Sequence, residues 1–501
     1  YYGERTDAYA VTGTTRDEIT SEENNEDVPY RYAGEGGVDL DSVFRRAAFA
    51  LRFNDLEMLI SDFITDESRV LYKRTVHDRV TSLAPFLEFD RDPYAVLADG
   101  RIKWIVDGYT TTNRFPYGQR ADVSRLAAGS DLRRPLNYIR NSVKAVVDAY
   151  DGTVELYVMR DPVSDDDDGD PIIQAYQQAF PSLFSPIDDV SDELKSHLRY
   201  PKDLFTLQTD TWSRYHLGDP GDFYDRTRAW DVAAAPSRDL IQSARQTAAT
   251  AQAAATGTTS SNSTAPVAPY YVQLKLPGED ELEYVLLRPF VRASQDDENK
   301  NLLSAFMVAN SNDVDTYGDL NVYEMTSQGV EGPTIVDSNI RSDQTVALVL
   351  NRLSEGGSEV KAGNLFLVPM DEESMIWVRP VYVQARGGDD VVEVPQLRFV
   401  IVVSDAGVIM QRSLSAALYE TLLQSGYTRA EALEVLVPIF GDVDTPIDLL
   451  AVVEGDGDLS DEPEPVTTPP PTTTEPPVTT SPPTTSPPST CLLYTSPSPR
   501  D

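Results

Sequence analysis

The sequence predicts an α+β chain: a mixed α/β N-terminal domain with β-hairpins, then a β-rich domain closed by C-terminal helices, then a disordered Pro/Thr tail. Three observations carry this reading. Asp99-Gly100 and Asp151-Gly152 lie between extended apolar runs, and Asp-Gly suits a tight hairpin because both central residues must take positive φ. Leu40, Val43, Phe44, Ala47, Phe49, Ala50, Leu51 and Phe53 recur at the spacing of one broad helical face. Beyond residue 268, short runs rich in β-branched and aromatic residues follow one another between turn residues.

In chain order, an acidic loop (Glu18 to Asp27) and a glycine hinge (Gly34 to Gly37) precede the first helix, which Asp41 or Ser42 caps. A second helix is expected from about Glu67 to Leu83, stopped by Pro85. The two Asp-Gly hairpins, Tyr94 to Val106 and Val143 to Met159, are expected in one sheet. Their likeness is read as shared turn chemistry, two copies being too few to establish a repeat. Helices at Ile172 to Phe180, Asp192 to His197 and Asp203 to His216 are separated by Pro181, Pro186 and Pro201. The aromatic residues from Tyr200 to Trp230 read as packed core.

The composition turns to Ala, Gln, Ser and Thr over 233–268, which places a domain boundary there. YYVQLKL, EYVLLRPFV, LLSAFMVA, LNVYEM, TVALVL, NLFLVP, MIWVRPVYVQ and LRFVIVV then read as strands, with Ser413 to Gln424 and Arg429 to Val437 as closing helices. The predicted units are therefore 1–232, the spacer 233–268, 269–440, an acidic then Pro/Thr-rich tail 441–490, and 491–501. The last segment, CLLYTSPSPRD, reads as translated sequencing adapter. Its Cys491 is the single cysteine, so the sequence offers neither a disulfide framework nor a thiolate metal site.

The formal charge of -39 repels phosphate backbones, which argues against a nucleic-acid partner, and it disfavours adsorption to anionic lipid without bridging cations. No run of about 18 apolar residues is present. No G-x-S-x-G, H-E-x-x-H or Walker loop appears either, which leaves familiar hydrolase and nucleotide chemistries without support.

Candidate sites are few. Glu88, Asp90 and Asp92, in LEFDRDPY, stand near Asp107 in the sequence of the first hairpin, a grouping suited to a cation or to acid–base work, although Asp92 before Pro93 is also an ordinary turn residue. Asp166 and Asp168, in SDDDDGD, resemble an EF-hand start loosely. With Gly169 at the sixth position the twelfth is Ala175, so the bidentate carboxylate is missing. EGDGDLSDE (Glu454 to Glu462) is similarly oxygen-rich, and for both runs a solvated loop is the ordinary reading, with Ca²⁺ the only cofactor they suggest. His197 and His216, with Arg199 and Arg214 nearby, would form a metal or proton-transfer site if they met in space, although helix-terminal capping explains each as well. His77 sits in the basic run KRTVHDR.

The stretch from Gly36 to Tyr117, together with NYIRNSVKAVVDAYDG, LKSHLRYPKDLFTLQT, YHLGDPGDFY and GSEVKAGNLFLVP, resembles uncharacterised protein family 0182. The resemblance runs to about Phe440, departing at SDDDDGD and the Ala-rich spacer. It implies an actinobacterial multi-pass membrane protein with a large extracytoplasmic region, of which this chain, opening on Tyr1 without an initiator Met, is a fragment lacking the membrane helices. It implies no catalytic residues. The expected role is non-enzymatic binding of a cell-wall polymer or envelope protein. The alternatives are the gate or receptor region of a transport or export protein, and an envelope-acting enzyme with a new site.

Overall fold

The computed structural model describes residues 1–449 apart from 161–169, 241–264, 294–300, 386–393 and several shorter runs. The chain starts with a small antiparallel sheet of β1 (Ala10–Thr12), β4 (Val38–Asp39) and β5 (Arg69–Leu71) in the order β1-β5-β4, with β2 (Ile19–Glu23) and β3 (Glu26–Tyr30) paired separately. Helices α1 (Val43–Phe53) and α2 (Glu57–Ile60) pack on the small sheet through Ala50 and Met58. Ser42 caps α1 by accepting the Arg45 N–H, so the helix starts three residues later than Leu40. Its apolar residues serve two faces rather than one. Phe49, Ala50 and Phe53 pack inward, whereas Val43, Phe44 and Leu51 point to solvent.

The helix expected from Glu67 is corrected by β5. Val70 and Leu71 pair with β1 as buried strand, and α3 (Val76–Leu83) begins only after Lys73 takes φ 50. The first large sheet contains β6 (Glu88–Phe89), β7 (Tyr94–Ala98), β8 (Arg101–Thr112), β9 (Tyr138–Asp148), β10 (Val154–Val158) and β11 (Phe184–Pro186). Asp99 and Gly100 take φ 55 and 72 between the paired Ala98 and Arg101, as a two-residue hairpin requires. The second hairpin lies in the same sheet but has a wider turn. Only Gly152 is left-handed there (φ 68), and the Asp148 carboxylate accepts the N–H groups of Tyr150 and Asp151.

Helices α4 (Pro171–Ala179), α5 (Asp192–Lys195), α6 (Lys202–Tyr215) and α7 (Pro220–Asp225) follow. A second sheet is formed by β12 (Trp230–Val232), β13 (Tyr270–Lys275), β14 (Leu282–Arg292), β15 (Leu303–Asn310) and β16 (Leu320–Glu324). After α8 (Pro333–Ser342) and α9 (Gln344–Glu355) comes a third sheet of β17 (Ser358–Ala362), β18 (Phe366–Pro369), β19 (Met375–Ala385), β20 (Gln396–Ser404) and β21 (Gly407–Gln411), then α10 (Leu414–Gln424) and α11 (Arg429–Phe440). TVALVL, read as a strand, is part of α9. Asp343 accepts the Val346 N–H at 2.9 Å, and Val346, Val349 and Leu350 are buried at helical spacing.

The three sheets are copies of one unit. In each, a long strand (β8, β14 or β19) pairs on one edge with the two strands that precede it and on the other with a strand that continues into a hairpin. The register agrees residue by residue around Val106, Arg288 and Arg379. The second strand of each unit opens with an aromatic residue opposite the position just before these three: Tyr94↔Ile105, Tyr270↔Leu287 and Phe366↔Val378. The first strand ends two positions after them: Phe89↔Gly108, Val232↔Phe290 and Ala362↔Val381. A bulge against the following strand then comes at once, between Gly108/Tyr109, Phe290/Val291 and Val381/Tyr382. The repeat that two Asp-Gly turns could not establish is present, in pairing rather than in letters.

Helices separate the sheets. Val106, Val143 and Val147 face α3 and α4, and the other side of the first sheet meets the segment from Ile187 to Leu198. Leu286, Phe290 and Met307 face Phe205 of α6, while Val285, Leu287 and Phe306 share a core with α8, α9 and the third sheet. Val400 and Val402 face Ala417 of α10. Packing extends past residue 440, where the sequence ended the folded part: Val443 and Leu449 are buried, and Gln411 exchanges two hydrogen bonds with the Ile447 backbone.

Candidate functional site

The seam between the first and second units is a polar layer of the interior. Asp107 on β8 and Lys144 on β9 are direct cross-strand partners, so both side chains stand on the same face of the sheet. Both are buried, and the Lys144 ammonium contacts the Asp107 carboxylate and donates to the Arg199 carbonyl at 2.6 Å. Burial pushes Asp107 up and Lys144 down, and each charge opposes the other's shift. Tyr317 lies 4.8 Å from the ammonium and donates to Asn141 Oδ1 at 2.9 Å and to the Arg199 carbonyl at 3.0 Å. Arg199 stacks over Tyr94 and Tyr271, and Tyr271 donates to the Tyr200 carbonyl at 2.6 Å. The segment before α6 is thereby bound to strands of both units.

Asp90 ends this network. Its N–H donates to the Asp107 carbonyl at 2.8 Å, and its carboxyl accepts the Tyr109 O–H at 2.9 Å and the Asp92 N–H at 3.1 Å. Burial, then the charges of Asp203 and Asp107, push the Asp90 carboxyl up to about 7. Asp203, in the first turn of α6, is raised by its own burial. The seam thus contains a carboxyl poised to hold a proton near neutrality beside a buried phenol. A proton-transfer step would require a substrate within reach. The cleft of about 490 Å³ bounded by Tyr2, Lys73, Arg79, Ser82, Gly152 and Thr153 is lined by none of the candidate residues.

The other two units place an arginine at the repeated position. Arg288 and Arg379 are buried, and each reaches an aspartate on the first of the two helices that precede its own sheet, α6 or α8: Arg288 Nη1 to Asp210 Oδ1 at 3.0 Å, and Arg379 Nη1 to Asp337 Oδ1 at 2.5 Å. Arg288 also donates to Thr209 Oγ1 at 2.6 Å and to the Val267 carbonyl at 2.8 Å, and burial brings it down to about 10. The first unit has Val106 at this position and carries its buried charge one residue later, at Asp107, on the opposite face.

Of the predicted acidic group, then, Asp90 and Asp107 come together, but around Lys144 rather than around a cation. Glu88 is half-buried on β6 and raised by burial, while Asp92 is exposed and 3.8 Å from Lys202. Asp166, Asp168 and the Glu454 to Glu462 run lie outside the described residues. His197 and His216 do not meet. They flank α6, whose 14 residues span about 21 Å; His197 bonds Ser196 and is exposed, whereas His216 ends the helix and stacks on Trp230 at 4.0 Å. His77 lies 2.9 Å from Asp131. Among the described residues, no group of three or more His, Cys, Asp or Glu is placed to hold a metal ion. Lys144, Arg288 and Arg379 were missed, although each is a lone cation within an apolar strand run, VKAVV, LLRPF or WVRPV. A lone cation there needs a partner when buried.

These features define a stacked array of αβ units tied together by internal ion pairs. The chain belongs to the uncharacterised protein family UPF0182, whose profile matches residues 1–353. It is similar to a UPF0182 protein of Pelotomaculum thermopropionicum, 35% identical over 440 residues that make up 88% of this chain and 42% of the relative. A UPF0182 protein of Geobacter sulfurreducens is 38% identical over 83% of this chain and 41% of the relative, and one of Streptomyces coelicolor is 36% identical over 83% and 39%. The chain therefore spans about two-fifths of the length of these curated relatives. Their range of organisms is wider than the actinobacterial membership the resemblance implied. No solved structure matches.

Proposed function

We propose that the chain is the extracytoplasmic, non-enzymatic region of a membrane-anchored envelope protein, and that it binds a wall polymer or a protein partner over the surface of its stacked units. The observation that carries this reading is where the buried charge goes. Lys144–Asp107 joins neighbouring strands of one sheet while Lys144 also reaches the Arg199 carbonyl of the segment before α6, and Arg288–Asp210 and Arg379–Asp337 each join a sheet to a helix; all three pairs are enclosed, so the ionic groups with the greatest chemical potential serve the scaffold. Stacked repeats present long continuous surfaces, a form suited to extended ligands. The anchor is assigned to the part of the full-length protein beyond this chain, since the relatives are more than twice as long as the matched region. Among the described residues no helix is long and apolar enough to cross a membrane.

The test is topology mapping of the full-length gene, with alkaline phosphatase and, separately, green fluorescent protein fused after residue 460, beyond the packed Val443 and Leu449. Phosphatase activity with a dark fluorescent fusion is the expected outcome. The reverse pair would overturn the extracytoplasmic reading.

A further inference from the structure

The cleft that the candidate residues do not line is walled by cations without carboxylates. It lies where the small N-terminal sheet meets the first unit, between β4, β5, α3 and the turn into β10, and its volume of about 490 Å³ suits a small-molecule ligand. Asp and Glu outnumber Lys and Arg 81 to 42 over the whole chain, yet the cleft is lined by Lys73 and Arg79 and by no acid. Each carboxylate that adjoins a lining residue in sequence is engaged elsewhere. Asp39 bonds Arg69 at 2.8 Å, Asp151 bonds Arg101 at 2.7 Å, and Glu155 accepts the Tyr157 O–H at 3.0 Å. Asp78 accepts the Thr75 O–H at 2.7 Å and acts on Arg91.

The charges of Lys73 and Arg79 are therefore left uncompensated. Among the described residues the Lys73 ammonium bonds only the Ser82 hydroxyl. Arg79 donates to the Gly152 carbonyl, reaches the Tyr72 and Lys73 carbonyls at 3.4 and 3.5 Å, and stacks on the Tyr2 ring at 4.4 Å. The Tyr2 phenol beside them is raised by burial and lowered by Arg79, Arg74 and Arg69, which shows a positive local field. Lys73 is also held at φ 50, a left-handed conformation that favours Gly or Asn. Strain of this kind persists where the surroundings impose it, and it gathers at ligand sites. Here Arg79 braces the turn through the two carbonyls.

The rest of the lining is neutral. Ser82 and Thr153 offer hydroxyls, while Val38, Tyr72, Leu83 and Val154 offer apolar faces. A sugar ring matches such a lining, since its hydroxyls exchange hydrogen bonds while its C–H groups pack against apolar walls.

We propose that this cleft binds a small anionic sugar, with its phosphate or carboxylate on Lys73, its ring against Tyr72 and its hydroxyls on Ser82 and Thr153. Arg79 is a positioning residue, which adds its charge while its donors hold the backbone around the cleft. The inference stands apart from the topology reading, because binding is measured on the chain itself.

Glucose 6-phosphate, glucuronate and glucose are each titrated calorimetrically into the full chain at millimolar concentration and constant ionic strength. Saturable binding of a charged sugar is expected, with glucose weaker by about tenfold or more, and the better of the two charged sugars identifies the anionic group. Lys73→Asn removes the charge and suits the left-handed backbone, so its melting temperature should match or exceed that of the wild type while the charged sugar binds about tenfold more weakly. No saturable heat with either charged sugar overturns the proposal. So does binding of glucose as tight as that of the charged sugars, or undiminished binding by folded Lys73→Asn.

Discussion

Replacing Asp90 with Asn should change how stability depends on pH. In the folded chain the Asp90 carboxyl is pushed from 3.8 up to about 7, by burial first and then by Asp203 and Asp107. A raised value means that the folded state holds the proton more tightly than the unfolded chain. The stability this gives is fully present below about pH 4 and is lost as pH rises through about 7. Between those limits each pH unit is worth about 1.4 kcal/mol, so from pH 5 to pH 8 the wild type loses about 3 kcal/mol that an uncharged Asn retains. Asn keeps one oxygen for the Tyr109 O–H or the Asp92 N–H where Asp has two, a loss of about 1 kcal/mol that applies equally at every pH. Urea unfolding of both proteins, followed by tryptophan fluorescence at pH 5, 6, 7 and 8, reads the difference. The curves should diverge in favour of Asp90→Asn by about 3 kcal/mol and level off above pH 7 to 8. A separation that stays constant with pH would refute the assignment of a proton to this carboxyl.

Three further outcomes follow from the same geometry. Arg379→Leu leaves Asp337 buried with only Arg341 at 2.7 Å, and stability should fall by about 3 kcal/mol; an unchanged melting temperature would show that the pair does not bear on the third unit. Gly152→Ala would put a Cβ 2.5 Å from the Tyr2 ring at φ 68, so a loss of about 1–3 kcal/mol is expected in denaturant titration, and wild-type stability would mean that Tyr2 moves aside freely. Calcium at millimolar concentration should shift the melting temperature by less than about 1 °C, whereas a large saturable rise would assign a site to one of the acidic runs.

The sequence made the hairpin at Asp99-Gly100 and helices α4, α6, α10 and α11 legible, because turn chemistry and helical periodicity are local properties. It misread Arg69–Leu71 and TVALVL for opposite reasons. Val70 is a strand only because β1 and β4 lie on either side, and Val346 to Leu350 are helical because Asp343 caps them and their burial follows the helical period. The single apolar face assigned to α1 was two, since periodicity counts apolar residues without saying which way the neighbouring sheet lies. At the candidate site Asp90 and Asp107 were legible, but the seam was not. Lys144, Arg199 and Tyr317 come from segments far apart in sequence, and their contacts depend on how one unit sits on the next. The threefold repeat escaped because its signature is register, which Val106, Arg288 and Arg379 share without sharing a side chain.

That register also shows where the middle unit has been extended. The link between its first two strands occupies residues 233–269, where the other two units need only 90–93 and 363–365. Its ends are fastened together: Ala234 pairs with Pro266, Ala235 donates to the Ala265 carbonyl at 2.8 Å, and Val267 donates to the Ala233 carbonyl at 2.8 Å. Beyond the neck, Ser237 still accepts from Arg379 and Leu240 is buried in the shared core, so the link is anchored as far as Leu240. Chain inserted after Leu240 is held at both ends by these contacts and by the neck, which makes that position a natural port for grafting a reporter or a guest domain.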